Sequence, residues 1–227
     1  MSEALDRARI KAICFDIDGT LADTDDSYLR RIAGWLKPFR RFLLEQDVQS
    51  AARWLVMALE SPANSFVAVL DKIGLDQIIG PIVDWLYQLR GAKPERGMQL
   101  VDGAYHSVVA LAEHFPLAIA TARERRSAYG FLDEHNLRKY FACVATARSA
   151  RRAKPHPAPI LWVCEQLGVE PQNLLMVGDT VVDIRAARAA GAQTAAVLCG
   201  FGERTELEAA GADAIFNTTA EVAEALL

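Results

Sequence analysis

Ile13-Cys14-Phe15-Asp16-Ile17-Asp18-Gly19-Thr20 is the stretch on which the fold turns: an apolar run that stops abruptly in two carboxylates and a turn. Read as a buried strand, Ile13 to Phe15 places Asp16 and Asp18 at its mouth. Burying a single carboxylate is unfavourable by several kcal/mol, roughly, and two so close repel each other. A cation between them resolves both problems, and oxygen-only ligands at a strand end suit a hard divalent ion such as magnesium. Asp-Gly alone is also an ordinary turn signal. Against that simpler reading stands a second acidic cluster far along the chain. Asn173 to Val177 reads as another short apolar strand, and it ends in Gly178-Asp179-Thr180-Val181-Val182-Asp183. The two strand ends are expected to converge on one ion.

Composition sets limits on what such a chain can be. With 227 residues, 52% of them hydrophobic, it can bury a full core and carry a small accessory domain. A formal net charge of -4 argues against a nucleic-acid binder, whose affinity would rest on neutralising phosphates over a basic face. Cys14, Cys143, Cys164 and Cys199 are widely spaced, form no Cys-x-x-Cys pair, and read as small core residues in a reducing compartment. The first ten residues mix Glu3, Asp6, Arg7 and Arg9 and do not resemble a secretory signal. Nothing approaches the roughly twenty uncharged apolar residues of a membrane span. The expectation is a soluble, cytoplasmic protein with no nucleic-acid or membrane partner, either a monomer or a homodimer.

From about Tyr28 to Leu89 the periodicity is helical, broken at Ser61-Pro62, Gly74 and Gly80-Pro81. Polar or turn-forming stretches flank it, Ala22 to Asp26 on one side and Gly91 to Gly97 on the other, as hinges of an inserted domain would. After Asp102 short apolar strands alternate with helices. The strands are Leu117 to Ala120, Phe141 to Ala145, Leu174 to Val177 and Thr194 to Leu198. Helices run through Tyr129 and Val163, from Asp183 to Ala190 with a stop at Gly191, and from Ala220 onward. Such alternation predicts an α/β fold with a parallel sheet and helices on both faces. Ligands of such sheets sit beyond the carboxyl ends of the strands, where the strand order reverses, and each polar motif of this chain falls at that edge.

Four motifs stand out in order: Asp16-Ile17-Asp18-Gly19-Thr20, Thr121 after its strand, Lys154-Pro155 ahead of a helix, and Gly178-Asp179 with Asp183. Together they resemble the four motifs of the haloacid dehalogenase-like superfamily of hydrolases, and in particular its phosphoglycolate phosphatase-like branch. Val177 to Thr180, Ala186 to Ala192, Gly200-Phe201-Gly202 and Glu206 to Asp213 look typical of that branch. The resemblance implies a Rossmann-like catalytic core, residues 1–23 and 98–227, with an inserted all-helical cap, residues 24–97. It implies Mg2+ as cofactor and a small phosphorylated metabolite as substrate.

Phosphoryl transfer is catalysed mainly by positioning and by neutralising charge on the equatorial oxygens. Asp16 is the expected nucleophile, forming an aspartyl-phosphate while its other oxygen binds the metal. Asp18, two positions on along extended chain, is expected to return to the same side as general acid and base. In the family its main-chain carbonyl also binds the metal. Thr121 offers a hydroxyl, with nearby backbone N–H groups such as that of Ala122, as a seat for phosphoryl oxygens. A helix N-cap is the competing role for Thr121. Lys154, stiffened by Pro155, Pro157 and Pro159, would steady the nucleophile and the transferring group. Asp179 is the expected direct metal ligand. Asp183 would bind directly or through a metal-bound water, and a capping carboxylate is its simpler role. Ala122-Arg123 departs from the commoner pattern after this Thr, and Arg123 is expected to lie on a solvated helix. His156 reads as a rim or capping residue. Arg30, Arg31, Arg40, Arg41 and Arg53 are expected to be solvated charge on the cap.

Within the same fold the rival is a phosphomutase of the β-phosphoglucomutase type, which would interconvert sugar phosphates with little net phosphate release. A non-catalytic binding module is the rival from another class, and loss of Asp16, Asp18 or Lys154 would have marked it. All three are present.

Overall fold

Strand β1, Ala12–Phe15, is buried along its whole length and sorts its side chains by size, with Ile13 and Phe15 on one face and Ala12 and Cys14 on the other. The same division recurs beside it, so each face of the sheet has its own core. The structure is a computed structural model that describes residues 5–23 and 98–227. The chain divides into two units, Met1–Asp25 with Arg96–Leu227 and Asp26–Glu95. The cap expected at 24–97, with its arginines, lies outside the described residues.

Strands β4 (Leu117–Ala120), β5 (Phe141–Ala145), β6 (Leu174–Gly178), β7 (Gln193–Val197) and β8 (Ala214–Phe216) join β1 in a parallel sheet of order β5-β4-β1-β6-β7-β8. From β1 the chain builds outward through β4 and β5, then crosses back to add β6, β7 and β8 on the other side. The connections at the carboxyl ends of β1 and β6 therefore diverge, which opens a crevice there. Asp16 follows β1 and Asp179 follows β6, and the register pairs Phe15 with Val177. Adjacent strands thus deliver both acidic motifs to one place.

Helices α1 (Ala104–Ala112), α2 (Arg125–Glu134) and α6 (Thr219–Leu226) cover the face that carries Ile13, Phe15, Leu117, Ile119, Leu175 and Val177. On the opposite face lie α3 (Ala158–Leu167) and α4 (Val181–Ala190), against Ala12, Cys14, Ala118, Ala120, Leu174 and Met176. Small side chains on β1 and β4 let these two helices pack closely. A smaller cluster of Ile184, Ala196, Leu207 and Ala212 seats α5, Arg204–Ala210. The expected α/β core with helices on both faces is observed.

Strands 117–120 and 141–145 coincide with the sequence reading, and Gly191 ends α4 with φ 85°. The periodicity did not single out α5 or β8. Only Leu207 is buried on α5 and β8 is half-buried throughout, so neither carries the apolar period by which such elements are recognised. It also gave no strand at the flanks of the excursion. There β2 (Ala22–Asp23) and β3 (Gln99–Leu100) form a two-residue antiparallel pair, Ala22 against Leu100 and Asp23 against Gln99, where the chain leaves and returns.

The free thiols fit the expected reading as small apolar residues, with Cys14 and Cys164 buried and Cys143 and Cys199 half-buried. Among the described residues no helix is long and apolar enough to cross a membrane.

The C-terminal helix also holds the first motif. Fully buried Thr219 donates its hydroxyl to the Thr20 carbonyl at 2.6 Å. Thr219→Val keeps the shape but strands that buried carbonyl, so it is expected to lower stability by about 1–3 kcal/mol, measured by urea unfolding against wild type.

Candidate active site

The Lys154 ammonium is the hub of the site. It donates to Asp16 Oδ1 at 2.9 Å, to the Ala120 carbonyl at 2.8 Å and to Asp183 Oδ1 at 2.5 Å, so its three N–H bonds are all used. Those acceptors belong to the ends of β1 and β4 and the first turn of α4. Lys154 itself sits ahead of α3, and the whole arrangement is buried. Burial works against the charged amine, but Asp16 and Asp183 outweigh it and hold the lysine above its ordinary range.

Asp16, Asp179 and Asp183 bring carboxylate oxygens within 4.8 Å of one another, all three buried. Asp179 receives the Thr20 hydroxyl at 3.2 Å and the Phe201 N–H at 2.9 Å. Backbone also crowds it closely. A Cβ on Gly200 would collide with Asp179 Oδ2 and with the Gly19 carbonyl, and one on Gly19, whose φ is 71°, would strike the same carboxylate. Asp183 accepts the Thr180 hydroxyl at 2.6 Å and the Thr180 N–H at 3.2 Å, so it caps α4 and faces Lys154 at the same time. Asp16 Oδ2, in contrast, meets no hydrogen-bond donor among the described residues.

Burial is the largest influence on Asp16. Lys154 opposes it, Asp183 and Asp18 add to it, and the carboxyl is pushed up to about 7. Asp179 is also raised, by burial first and then by the charges of Asp183 and Asp16. Three carboxylates against one ammonium leave a formal charge of -2 in this buried cluster. One divalent cation on oxygen ligands would cancel it. The residues present therefore fit a magnesium-type ion.

Asp18 does not join the triad through its carboxylate. Arg123 takes it in a fork, Nε to Oδ2 at 2.7 Å and a terminal nitrogen to Oδ1 at 2.5 Å. Arg123 is thus no solvated helix residue. Its side chain is only 11% exposed, touches the Met98 sulfur at 3.0 Å and lies over the Phe131 ring at 5.3 Å. The residue lies ahead of α2, in the loop that follows β4, so no helical face carries it outward. An arginine two residues after a strand-end Thr was the available signal for this pair.

Thr121 is buried at the end of β4, its N–H spent on the Ala145 carbonyl and its hydroxyl oxygen accepting the Arg123 N–H at 3.2 Å. It does not cap α2, because Glu124 occupies that position. The Ala122 N–H has no acceptor among the described residues. His156 lies just ahead of α3, whose cap position is Pro157, and accepts the Ala158 N–H on Nδ1 at 3.1 Å.

Residues 13–197 match the haloacid dehalogenase-like hydrolase family. A phosphoglycolate phosphatase of Chromobacterium violaceum is 35% identical over 236 residues, 94% of this chain and 95% of its own length. An N-acetylmuramic acid 6-phosphate phosphatase of Pseudomonas aeruginosa is 29% identical over 97% of this chain and 96% of its own. Among solved structures, a haloacid dehalogenase-like hydrolase of Streptococcus pneumoniae superposes with a TM-score of 0.69 at 26% identity, covering 97% of this chain and all of that one.

A carboxyl raised in the folded state keeps its proton after the unfolded chain has released it. Without metal, Asp16 therefore withdraws stability as pH climbs from its ordinary 3.8 to about 7. A divalent ion competes with those protons. Magnesium at about a hundredfold excess over its Kd is expected to add about 2.7 kcal/mol near pH 8 and clearly less near pH 5. Thermal unfolding with magnesium or with chelator at both pH values measures this, and an equal or absent shift would contradict the assignment of the triad.

Proposed function

This chain belongs to the haloacid dehalogenase-like hydrolases, and from that premise we propose that it is a magnesium-dependent phosphatase acting on a small phosphate monoester through an aspartyl-phosphate on Asp16. One observation carries the reading. Asp16 is buried with one oxygen held by Lys154 and the other meeting no donor among the described residues, beside two further buried carboxylates. An oxygen so placed is a nucleophile with its orientation fixed in advance.

Asp16, Asp179 and Asp183, with the Asp18 main-chain carbonyl that the family resemblance adds, would hold the magnesium ion. When bound, the ion supplies positive charge against the nucleophile and the phosphoryl oxygens. The chain's own groups do the rest. Lys154 keeps Asp16 aimed and adds a cation beside the transferring group. The Thr121 hydroxyl and the Ala122 N–H receive phosphoryl oxygens at the carboxyl end of β4. Asp16 forms a bond to phosphorus as the ester oxygen leaves with a proton from Asp18. Water then attacks the aspartyl-phosphate, and Asp18 takes the proton back. Residues 24–97 are assigned the role of reading the leaving group and excluding water.

The relatives' names supply two substrates to try first, phosphoglycolate and N-acetylmuramic acid 6-phosphate. In a panel holding both, with sugar and nucleoside phosphates, one ester at least is expected to yield stoichiometric phosphate when magnesium is present and none when it is chelated. Asp16→Asn should lower that rate by about 10³-fold or more, and Lys154→Met by about 10²–10³-fold, with the fold retained in both. No phosphate from any ester, or an Asp16→Asn variant as active as wild type, would refute the reading. Interconversion of sugar phosphates without phosphate release would point to the mutase.

A further inference from the structure

Arg123 and Asp18 form an ion pair away from the lysine hub, and its geometry is that of a built support. Each Asp18 oxygen receives a separate guanidinium N–H, at 2.7 and 2.5 Å, so the fork fixes the plane of the carboxylate as well as its position. The Asp18 side chain remains 37% exposed, open to the crevice, while the arginine behind it is 11% exposed. Phe131 lies against the guanidinium face and Met98 touches its edge. The Arg123 backbone N–H holds the Thr121 hydroxyl oxygen. One residue thus joins the end of β4 to the loop after β1.

We infer that Arg123 is a positioning residue that presents the Asp18 carboxylate as proton acceptor for hydrolysis of the aspartyl-phosphate, an inference that rests on the phosphatase reading above. With both oxygens in a guanidinium fork the Asp18 carboxylate is held in one plane and one place, the fixed orientation that proton transfer from the attacking water needs. In that step the water oxygen bonds to phosphorus and the bond from phosphorus to Asp16 breaks. The Asp16 carboxylate is restored, inorganic phosphate departs, and the water proton passes to Asp18. Each Asp18 oxygen keeps a lone pair outside the fork for that proton, and a shift of about 1 Å in the carboxylate would cost on the order of a hundredfold in rate.

p-Nitrophenyl phosphate separates this role from substrate binding, because nitrophenolate leaves without needing a proton. Its kcat/KM reports formation of the aspartyl-phosphate and its kcat the slower breakdown. For Arg123→Met, kcat is expected to fall about 10–100-fold while kcat/KM stays within about threefold. Rapid mixing should then show a burst approaching one nitrophenolate per active site. Arg123→Lys, which keeps the charge and loses the fork, should give the same split at smaller amplitude, and it decides the matter should the Met variant fail to fold. A fall of kcat/KM in step with kcat and without a burst would overturn the inference, because Arg123 would then be reading the phosphate. Unchanged kinetics in both variants would overturn it too. Wild-type enzyme that released neither nitrophenol nor phosphate from any ester of the panel would instead refute the phosphatase reading, and the inference with it.

Discussion

Like charges brought together in a dry place are the constraint around which this structure is organised. A single ammonium, Lys154, bridges Asp16 and Asp183 and takes a main-chain carbonyl with its third hydrogen. Removing it would leave Asp16, Asp179 and Asp183 buried with no cation of the protein's own among the contacts described. Its presence still leaves an excess of negative charge. Burial first, and that excess with it, pushes Asp16 and Asp179 toward protonation, and a divalent ion would be both tolerated and stabilising.

The sheet makes this concentration of charge possible. Ile13 and Phe15, with Leu175 and Val177, anchor two neighbouring strands in the same apolar layer, so the residues that follow them cannot move apart. Glycines at 19 and 200 let backbone close over Asp179 where any side chain would collide with it. Apolar packing fixes the strands, and the strands oblige the carboxylates to meet. Asp18 is held separately, outside the buried cluster, by an arginine from the adjoining strand end.

Much of this was legible in the sequence, for an identifiable reason. Strands 12–15, 117–120 and 174–178 are apolar runs buried along their whole length, and each acidic motif abuts such a run directly. Asp16, Asp179, Asp183 and Lys154 could be picked out because charge after an unbroken apolar run is costly unless it has work to do. Arg123 was misjudged because sequence spacing gave it no partner. Its carboxylate lies more than a hundred residues away, and only the pairing of β1 with β4 brings the two together. The joint role of Asp183 as cap and as lysine partner was hidden similarly, since local spacing shows the cap and says nothing of Lys154. The β2–β3 pair was missed because two-residue strands have no period to detect.

That short pair has an evolutionary meaning. Because Ala22 and Asp23 lie against Leu100 and Gln99, the departing and returning chain are spliced at a single point, and whatever is threaded between them leaves the register of the main sheet unaltered. Selection can lengthen, shorten or replace that passage without touching the chemistry rooted in β1 and β6.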